Sequence, residues 1–176
     1  MKLIALSGKR GSGKTSCANY LKHQYGATVI SLAAPIKEEL VVLGFDKDLI
    51  YTKPSPEPIR ALMIALGQAR RYVDPDYFVN VFLKKLAPHY TSGTGLVVCD
   101  DCRFLNEAEK FASYDASLIR VECPDILKVQ PFVEKVDDDI SEISLDEYDS
   151  FDYVIRASHG SITAMHEQLD VYLRSL

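Results

Sequence analysis

Short apolar runs alternate along the chain with segments in which apolar positions recur every three or four residues. Short apolar runs predict buried β-strands, and the helical spacing predicts amphipathic α-helices. The predicted strands are Lys2–Leu6, Thr28–Leu32, Leu96–Cys99, Ser117–Glu122 and Tyr153–Ile155. The predicted helices are Lys14–Gln24, Pro35–Leu43, Ile59–Val73, Pro75–Leu86, Asn106–Tyr114 and Ser161–Leu176. Residues 91–95, rich in Gly, Ser and Thr, are a predicted turn.

This alternation predicts an α/β fold with three layers, in which a five-stranded parallel sheet carries helices on both faces. A chain of 176 residues suits one domain. Two stretches interrupt the alternation, the proline-rich 44–58 and the acid-rich 124–149, and both are candidate moving flaps. Ligands of parallel sheets bind at the carboxyl ends of the strands, so residues that follow the strands are the first candidates for a site.

Composition narrows the class of protein. With 47% hydrophobic and 26% charged residues, the chain is typical of globular proteins. It contains no apolar run of about 18 residues that would predict a membrane span, and no signal-peptide pattern, so we expect a cytoplasmic protein. The net charge of −5 argues against nucleic acid as the main partner. Apolar helices are compatible with a homodimer. Cys99 and Cys102 form a lone C-x-x-C, which favours free thiols over a zinc site.

Residues 8–15, GKRGSGKT, match the phosphate-loop pattern G-x-x-x-x-G-K-[ST] between a predicted strand and a predicted helix. Its glycines let backbone N–H groups point at phosphate oxygens, and the helix N-terminus adds positive charge. Lys14 can reach the β- and γ-phosphates of ATP, and Thr15 can offer its hydroxyl to Mg²⁺. The predicted ATP-binding residues of this loop are Gly8, Arg10, Gly11, Ser12, Gly13, Lys14, Thr15 and Ser16. The GTPase signature N-K-x-D is absent from the sequence.

An apolar strand that ends in two acids, Asp100 and Asp101, has the form of a Walker B element. Either aspartate is a candidate Mg²⁺ ligand, and the sequence does not choose between them. Arginine suits bidentate phosphate binding, so Arg60, Arg71 and Arg103 are candidate ligands of an acceptor phosphate. Arg103 is the best placed of the three because it follows the acidic strand end.

With these motifs the chain resembles the phage deoxynucleoside monophosphate kinases, a branch of the P-loop nucleotide kinases, over nearly its whole length. The segments that carry the resemblance are Ser7–Ser16, Leu32–Lys37, Arg60–Gly67, Asp76–Val79, Asp101–Glu107, Phe151–Ile155 and Gly160–Ser161. The most specific is Asp101–Glu107, DCRFLNE, which is similar to D-x-R-F-x-N-E in the family.

The resemblance implies one P-loop nucleotide kinase domain over residues 1–176. Within it, residues 35–86 would form the insertion that binds the nucleoside monophosphate, and residues 124–149 the lid. The implied acceptor-site residues are Lys37, Arg60, Gly67, Phe78, Arg103 and Glu107, with Phe78 packing near the base. Asp101 would be the acid near metal and acceptor, and the loop from Ala157 to Gly160 would lie by the adenine of ATP.

The chain also departs from the family pattern. Asp139 stands at a lid position where the family has histidine, Cys123 where arginine is common, and Ala157 where asparagine is frequent. The segment 124–149 contains only Lys128 and Lys135 as cations, whereas nucleotide kinase lids usually supply arginine. Arg10 and Arg120 are the candidates to replace it.

The leading hypothesis is a kinase that transfers the γ-phosphoryl group of ATP to a deoxynucleoside monophosphate, giving ADP and a deoxynucleoside diphosphate. Lys14, Asp101 and Arg103 would be its catalytic residues, and Arg60, Arg71 and Arg103 would hold the acceptor phosphate. One alternative is another acceptor, such as a modified base in DNA, dephospho-CoA or a small metabolite. Another is a nucleotide-binding regulator with little turnover.

Overall fold

A computed structural model describes residues 1–93, 95–126 and 139–175 of the chain. The strands are β1 (Lys2–Ser7), β2 (Thr28–Ile30), β3 (Leu96–Cys102), β4 (Ser117–Glu122) and β5 (Tyr153–Arg156). They form one parallel five-stranded sheet in the order β2-β3-β1-β4-β5. The helices are α1 (Lys14–Tyr25), α2 (Ala34–Val42), α3 (Lys47–Tyr51), α4 (Glu57–Val73), α5 (Tyr77–Ser92), α6 (Leu105–Ser113), α7 (Ile140–Ile143) and α8 (Ile162–Ser175).

The central strand β1 is buried on both faces of the sheet, which explains its unbroken apolar sequence. Successive strand side chains point to opposite faces. Leu3 and Ala5 accordingly belong to one core cluster, and Ile4 and Leu6 to the other. Helices cover both clusters, and the predicted three-layer α/β fold is confirmed.

Each face of the sheet is covered by a pair of helices. On one face, Leu21 of α1 and Leu169 of α8 are fully buried in the same cluster. On the other, the rings of Phe82 in α5 and Phe111 in α6 meet edge to face with centroids 5.0 Å apart. Burying such a side chain contributes about 1.5–3 kcal/mol. This packing holds the carboxyl ends of the strands in a fixed arrangement.

A third, smaller core cluster is formed by residues between β2 and β3 in the chain, where α2, α3 and α4 meet around Leu40, Ile50 and Ile59. The helix α3 lies within residues 44–58, which we predicted to interrupt the alternation of strands and helices. The side chain of Asp46 starts this helix by accepting hydrogen bonds from the N–H groups of Asp48 and Leu49. The N-cap residue Asp46 thus starts a helix in a segment that its prolines had marked as a loop.

The helix α5 continues to Ser92, through Pro88 and into the predicted turn at residues 91–95. It ends at Gly93, whose left-handed φ of 66° suits a helix C-terminus. The ring of Tyr90 packs against that of Tyr114 beside α6, with centroids 6.0 Å apart. This tertiary contact stabilises the last turn, which the sequence pattern of residues 91–95 does not predict.

Residues 127–138, which include Lys128 and Lys135, lie outside the described residues. Within the segment 124–149, the structure describes residues 124–126 and 139–149, and the latter stretch contains α7. No helix in the described part of the chain is long and apolar enough to cross a membrane.

Candidate active site

Glycine determines the shape of the loop between β1 and α1. Gly8, Gly11 and Gly13 have φ angles of 145°, 77° and 104°, which other residues rarely adopt. A Cβ atom at Gly8 would lie 2.2 Å from the carbonyl oxygen of Val121, and one at Gly13 would lie 2.7 Å from Sδ of Met165. The loop therefore packs directly against β4 and α8. No side chain in the described part of the chain caps the N-terminus of α1, which leaves its first N–H groups for an anion.

Lys14 lies folded back over this loop. Its Nζ donates hydrogen bonds to the carbonyl oxygens of Gly8, at 2.6 Å, and Lys9, at 2.8 Å. Burial, and after it the positive charge of Arg103, lowers the pKa of Lys14 from 10.5 to about 7. A polyphosphate beside Lys14 would supply negative charge and favour its protonated form.

A β-bulge brings both aspartates of β3 to the same cavity. Between the pairs Ala5–Cys99 and Ser7–Cys102, β3 contains one residue more than β1. In a regular strand, Asp100 and Asp101 would point to opposite faces. Here both line the cavity described below.

The two aspartates nevertheless have different partners. The carboxylate of Asp101 accepts hydrogen bonds from the hydroxyl of Ser31 at 2.6 Å and from the N–H groups of Leu32 at 2.7 Å and Ala33 at 2.9 Å. Oδ1 of Asp100 is buried without a hydrogen-bond partner among the described residues. Burial, and then the charge of Asp101, raises the pKa of Asp100 to about 6. Asp101 thus ties β3 to the start of α2, and Asp100 keeps an oxygen for another ligand.

Lys53, between α3 and α4, reaches across to the phosphate loop. Its Nζ donates a hydrogen bond to Oγ1 of Thr15 at 3.0 Å. Its positive charge opposes the effects of burial and Asp101 on the pKa of Asp100. The same charge adds to burial in lowering the pKa of Lys37. The segment 44–58 therefore supplies a cation to the phosphate-binding end of the site.

Two of the predicted phosphate-binding arginines share a buried carboxylate. Oε1 of Glu142, in α7, accepts hydrogen bonds from Nη2 of Arg60 and Nη1 of Arg103, both at 2.6 Å. Its other oxygen, Oε2, accepts one from the backbone N–H of Arg10 at 2.7 Å. Arg103 also donates to the carbonyl oxygen of Ser141 at 3.2 Å. These contacts join α4, the end of β3 and the phosphate loop at one point.

The planar guanidinium group of Arg71, near the C-terminus of α4, is held in place by several contacts. Its Nη2 donates to Oε1 of Glu107 at 2.8 Å, and its guanidinium carbon lies 3.8 Å from the ring centroid of Phe104 and 4.4 Å from that of Phe78. Glu107 also accepts from the backbone N–H groups of Arg103 and Phe104. At Gly67, a Cβ atom would lie 3.2 Å from Nη1 of Arg71. The absence of a side chain there leaves room for the guanidinium.

A cavity of about 580 Å³ connects these groups. The predicted site residues that line it are Arg10, Gly11, Gly13, Lys14, Thr15, Ser16, Lys37, Arg60, Gly67, Arg71, Asp100, Asp101 and Arg103. Between the phosphate loop and Arg71, its wall is apolar and contains Ile36, Met63, Ile64 and Phe104. Cationic side chains thus stand at both ends of a partly apolar cleft.

Six predicted residues do not line this cavity: Gly8, Ser12, Phe78, Glu107, Ala157 and Gly160. Gly8 and Ser12 belong to the phosphate loop itself, and the Ser12 hydroxyl is buried without a partner among the described residues. Phe78 is 2% exposed and lies beneath Arg71, so the aromatic ring at the cavity wall is that of Phe104. Ala157 and Gly160 lie between β5 and α8.

Some cavity contacts could not be read from the sequence. Lys53 has no motif around it. Glu142 matches the last residue of a lid pattern, D-x-H-x-S-E, that resembles the family's, but the pattern does not indicate that this glutamate meets arginines from distant segments. Phe104 does follow Arg103 within a recognised motif, but the resemblance implied that Phe78 is the aromatic residue near the base. Arg120, a candidate replacement for a lid arginine, is engaged elsewhere: it donates to Asp146 at 2.7 Å and Ser7 at 3.2 Å and does not line the cavity.

Comparison with known proteins places the chain in a family. The sequence model of the family described as phosphomevalonate kinase matches residues 6–116, the part that includes the phosphate loop and both aspartates. The chain belongs to the phosphomevalonate kinase family. It is therefore a kinase with a nucleotide-binding P-loop.

The chain is also similar to a protein of Acanthamoeba polyphaga mimivirus that is named "Putative deoxynucleotide monophosphate kinase". The two are 29% identical over 191 aligned positions, which cover 96% of this chain and 94% of the relative. This likeness agrees with the family resemblance seen in the sequence.

Solved structures show the same fold at low sequence identity. TT1252 from Thermus thermophilus matches with a TM-score of 0.58 and 15% identity, covering 99% of this chain and 97% of that one. Dephospho-CoA kinase from Campylobacter jejuni matches with a TM-score of 0.55 and 14% identity, covering 98% and 96%. At such identity the comparison supports the P-loop kinase fold and not a substrate.

Proposed function

We propose that this protein transfers the γ-phosphoryl group of ATP to a deoxynucleoside monophosphate. The observation that carries the proposal is that the phosphate loop and the Arg60–Arg103 pair line one cavity with an apolar wall beside them. A nucleoside monophosphate has both parts that such a cleft suits, an anionic phosphate and an apolar base face. The mimivirus relative's name supports the same acceptor.

ATP would bind with its phosphates on the loop from Gly8 to Ser16. Backbone N–H groups of the loop and of the α1 N-terminus would hold the phosphate oxygens, with Lys14 reaching the β- and γ-phosphates. Arg10 lines the cavity at this end. The loop from Ala157 to Gly160, outside the cavity lining, is the proposed neighbour of the adenine.

The residues present fit a Mg²⁺ ion. A hard cation of this kind takes oxygen ligands and keeps several waters and phosphate oxygens. Asp100 has a buried carboxylate oxygen without a partner among the described residues, and the hydroxyl of Thr15 lines the same cavity. We therefore propose Thr15 and Asp100 as the protein ligands, directly or through water. Mg²⁺ bound there would neutralise charge on the phosphate oxygens. Asp101, also a predicted ligand, has its carboxylate engaged by Ser31 and two backbone N–H groups.

The acceptor phosphate would lie on Arg60 and Arg103, with Lys37 nearby. The base would pack on the apolar wall of Ile36, Met63 and Phe104, and Arg71 would present its guanidinium plane at the far end. Arginine stacks on aromatic faces and also donates hydrogen bonds, so Arg71 suits the edge or face of a base.

The chemistry requires positioning and positive charge more than proton transfer. An oxygen of the acceptor phosphate attacks the γ-phosphorus while the bond to the β–γ bridging oxygen breaks, and ADP leaves. The attacking phosphate is already anionic, so no strong general base is needed. Among the described residues, Lys14, Arg103 and Lys53 are the cations that we assign to the site of transfer.

A second candidate acceptor is phosphomevalonate, because the family model matches 63% of the chain's length, residues 6–116 of 176. This acceptor also carries a phosphate for the arginine pair. It has a carboxylate in place of a base, which Lys37 or Arg71 would have to bind. The apolar wall of Ile36, Met63, Ile64 and Phe104 favours a base over a carboxylate.

The test is a comparison of acceptors. Purified protein is incubated with Mg-ATP and, separately, each of the four deoxynucleoside monophosphates, phosphomevalonate, dephospho-CoA and DNA. ADP formation is followed and products are identified by mass spectrometry. Formation of a deoxynucleoside diphosphate, lost in Lys14→Ala, supports the proposal. Turnover with phosphomevalonate alone would replace it by the second candidate, and ATP binding without any turnover would indicate a regulator.

A further inference from the structure

Glu142 occupies an unusual place in the site, because it lies behind the arginines and not in front of them. Arg60 and Arg103 line the cavity and their side chains are 20% and 22% exposed. The Glu142 side chain is 2% exposed and does not line the cavity. Each arginine thus gives one N–H group to Glu142 and retains others that can face an acceptor.

The carboxylate also offsets a repulsion. Two guanidinium groups that donate to one oxygen at 2.6 Å must lie close together, and like charges in a poorly solvated site disfavour each other. Burial lowers the pKa of Arg60, the charge of Glu142 raises it, and that of Arg103 lowers it. Without the carboxylate, the two side chains would separate toward water.

Glu142 links this pair to the other half of the site. Its second oxygen accepts the backbone N–H of Arg10 in the phosphate loop at 2.7 Å. One buried carboxylate therefore sets the distance between the loop that would hold ATP and the arginines that would hold the acceptor. Phosphoryl transfer depends on that distance, since the attacking oxygen and the γ-phosphorus must be brought into line.

We propose that Glu142 is a positioning residue, which fixes Arg60 and Arg103 relative to the phosphate loop. The inference rests on the proposed function in assigning the acceptor phosphate to those two arginines. The described end of segment 124–149 supplies the anion, and the arginines that it organises come from α4 and from the position that follows β3.

A competing role makes the opposite prediction. If Glu142 instead occupied the place of the acceptor phosphate, its neutralisation would improve acceptor binding. Glu142→Gln keeps the shape of the side chain and removes its charge, so it separates the two roles. Glu142→Asp keeps the charge on a shorter side chain and serves as the conservative variant.

The experiment measures kcat and KM for ATP and for the acceptor in the parent, Glu142→Gln and Glu142→Asp. We expect Glu142→Gln to lower kcat/KM for the acceptor about 100-fold, with KM for ATP changed less than about threefold, and Glu142→Asp to recover part of the loss. Glu39→Gln is the matched control. It removes the carboxylate partner of Arg70, another α4 arginine, which does not line the cavity, and it should behave as the parent.

A parent-like acceptor kcat/KM in Glu142→Gln, or a lower acceptor KM with kcat unchanged, would overturn the inference. Equal losses of kcat/KM for ATP and for the acceptor, together with a lower melting temperature, would also overturn it, because they would indicate loss of folded protein. If Glu142→Gln does not fold, Glu142→Asp tests the positioning role through geometry alone, because its shorter side chain draws the carboxylate away from Arg60 and Arg103, and an acceptor kcat/KM equal to that of the parent would then overturn the inference. If the parent uses phosphomevalonate and no deoxynucleotide, the proposed function fails, and the positioning inference is judged with phosphomevalonate as acceptor.

Discussion

Lys53 donates a hydrogen bond from Nζ to Oγ1 of Thr15 at 3.0 Å, across the cleft between the 44–58 segment and the phosphate loop. Thr15 carries the hydroxyl that a phosphate loop offers to Mg²⁺. The ammonium group of Lys53 therefore lies on the side of the site where we propose the metal and the γ-phosphate. In the proposed complex it would lie beside the group being transferred.

Replacing Lys53 by methionine should lower kcat by about 100-fold, because preorganised positive charge at the transferring group stabilises the transition state. Methionine keeps much of the side chain's length and apolar character. The comparison is Lys47→Met, which removes an exposed lysine of the neighbouring α3 that does not line the cavity. Steady-state kinetics with saturating ATP and acceptor measure the effect. A kcat within twofold of the parent would remove Lys53 from the mechanism.

Asp100 and Asp101 should respond differently to replacement by asparagine. Asp100→Asn is expected to raise the Mg²⁺ concentration for half-maximal activity about tenfold or more, since it removes the carboxylate with a spare oxygen. Asp101→Asn is expected to lower the free energy of unfolding by about 2 kcal/mol, because hydrogen bonds to a charged acceptor are weakened at Ser31 and α2. Mg²⁺ titrations and urea unfolding of both variants test this.

The pH dependence of the metal requirement gives an independent check. Burial and Asp101 raise the pKa of Asp100 to about 6, so the free carboxylate is protonated below that pH. Since a metal binds the ionised form, affinity for Mg²⁺ should fall as the pH decreases through about 6 in the parent. In Asp100→Asn this decrease should be absent. An identical pH profile in the two proteins would show that Asp100 is not the ligand.

The sequence predicted the parts of this site that depend on local patterns. The phosphate loop is contiguous in sequence, and its glycines are required by their φ angles and by close packing. A strand that ends in acidic residues can also be recognised from the sequence alone. The sheet followed from alternating apolar runs because both faces of β1 are buried. These features require no knowledge of distant contacts.

The parts that were not predicted depend on pairs of residues far apart in the chain. The difference between Asp100 and Asp101 arises from a bulge set by pairing with β1. Glu142 lies 82 positions from Arg60 and 39 from Arg103. Arg71 contacts the rings of both Phe78 and Phe104, and only tertiary packing leaves Phe104, and not Phe78, at the cavity wall.

Gly67 offers a test of the acceptor half of the site. Alanine in a helix interior is favoured over glycine by about 1 kcal/mol, so Gly67→Ala should not destabilise α4 through its backbone. The new Cβ would lie 3.2 Å from Nη1 of Arg71 and 3.3 Å from Cδ1 of Ile36, which requires both side chains to shift. We expect a melting temperature close to that of the parent and an acceptor KM raised several-fold.

Kinetics of Gly67→Ala with each substrate varied in turn separate the two halves of the cavity. The KM for ATP should stay at the parent value, because the phosphate loop is at the other end. A raised KM for ATP with an unchanged KM for the acceptor would contradict the assignment of α4 to the acceptor.

Lys14 makes a prediction about stability that does not depend on any substrate. Its pKa falls from 10.5 in an exposed setting to about 7 in the fold, so between these pH values the unfolded chain binds one more proton than the folded protein. Stability therefore increases with pH across this window, by up to about 1.4 kcal/mol per pH unit from this group. Urea unfolding at pH 7 and pH 9 should show the parent gaining about 2 kcal/mol more than Lys14→Met, in which other titrating groups are the same. Saturating Mg-ADP should reduce this difference, because bound phosphates favour protonated Lys14. Parallel pH profiles of parent and variant without nucleotide would mean that Lys14 keeps an ordinary pKa.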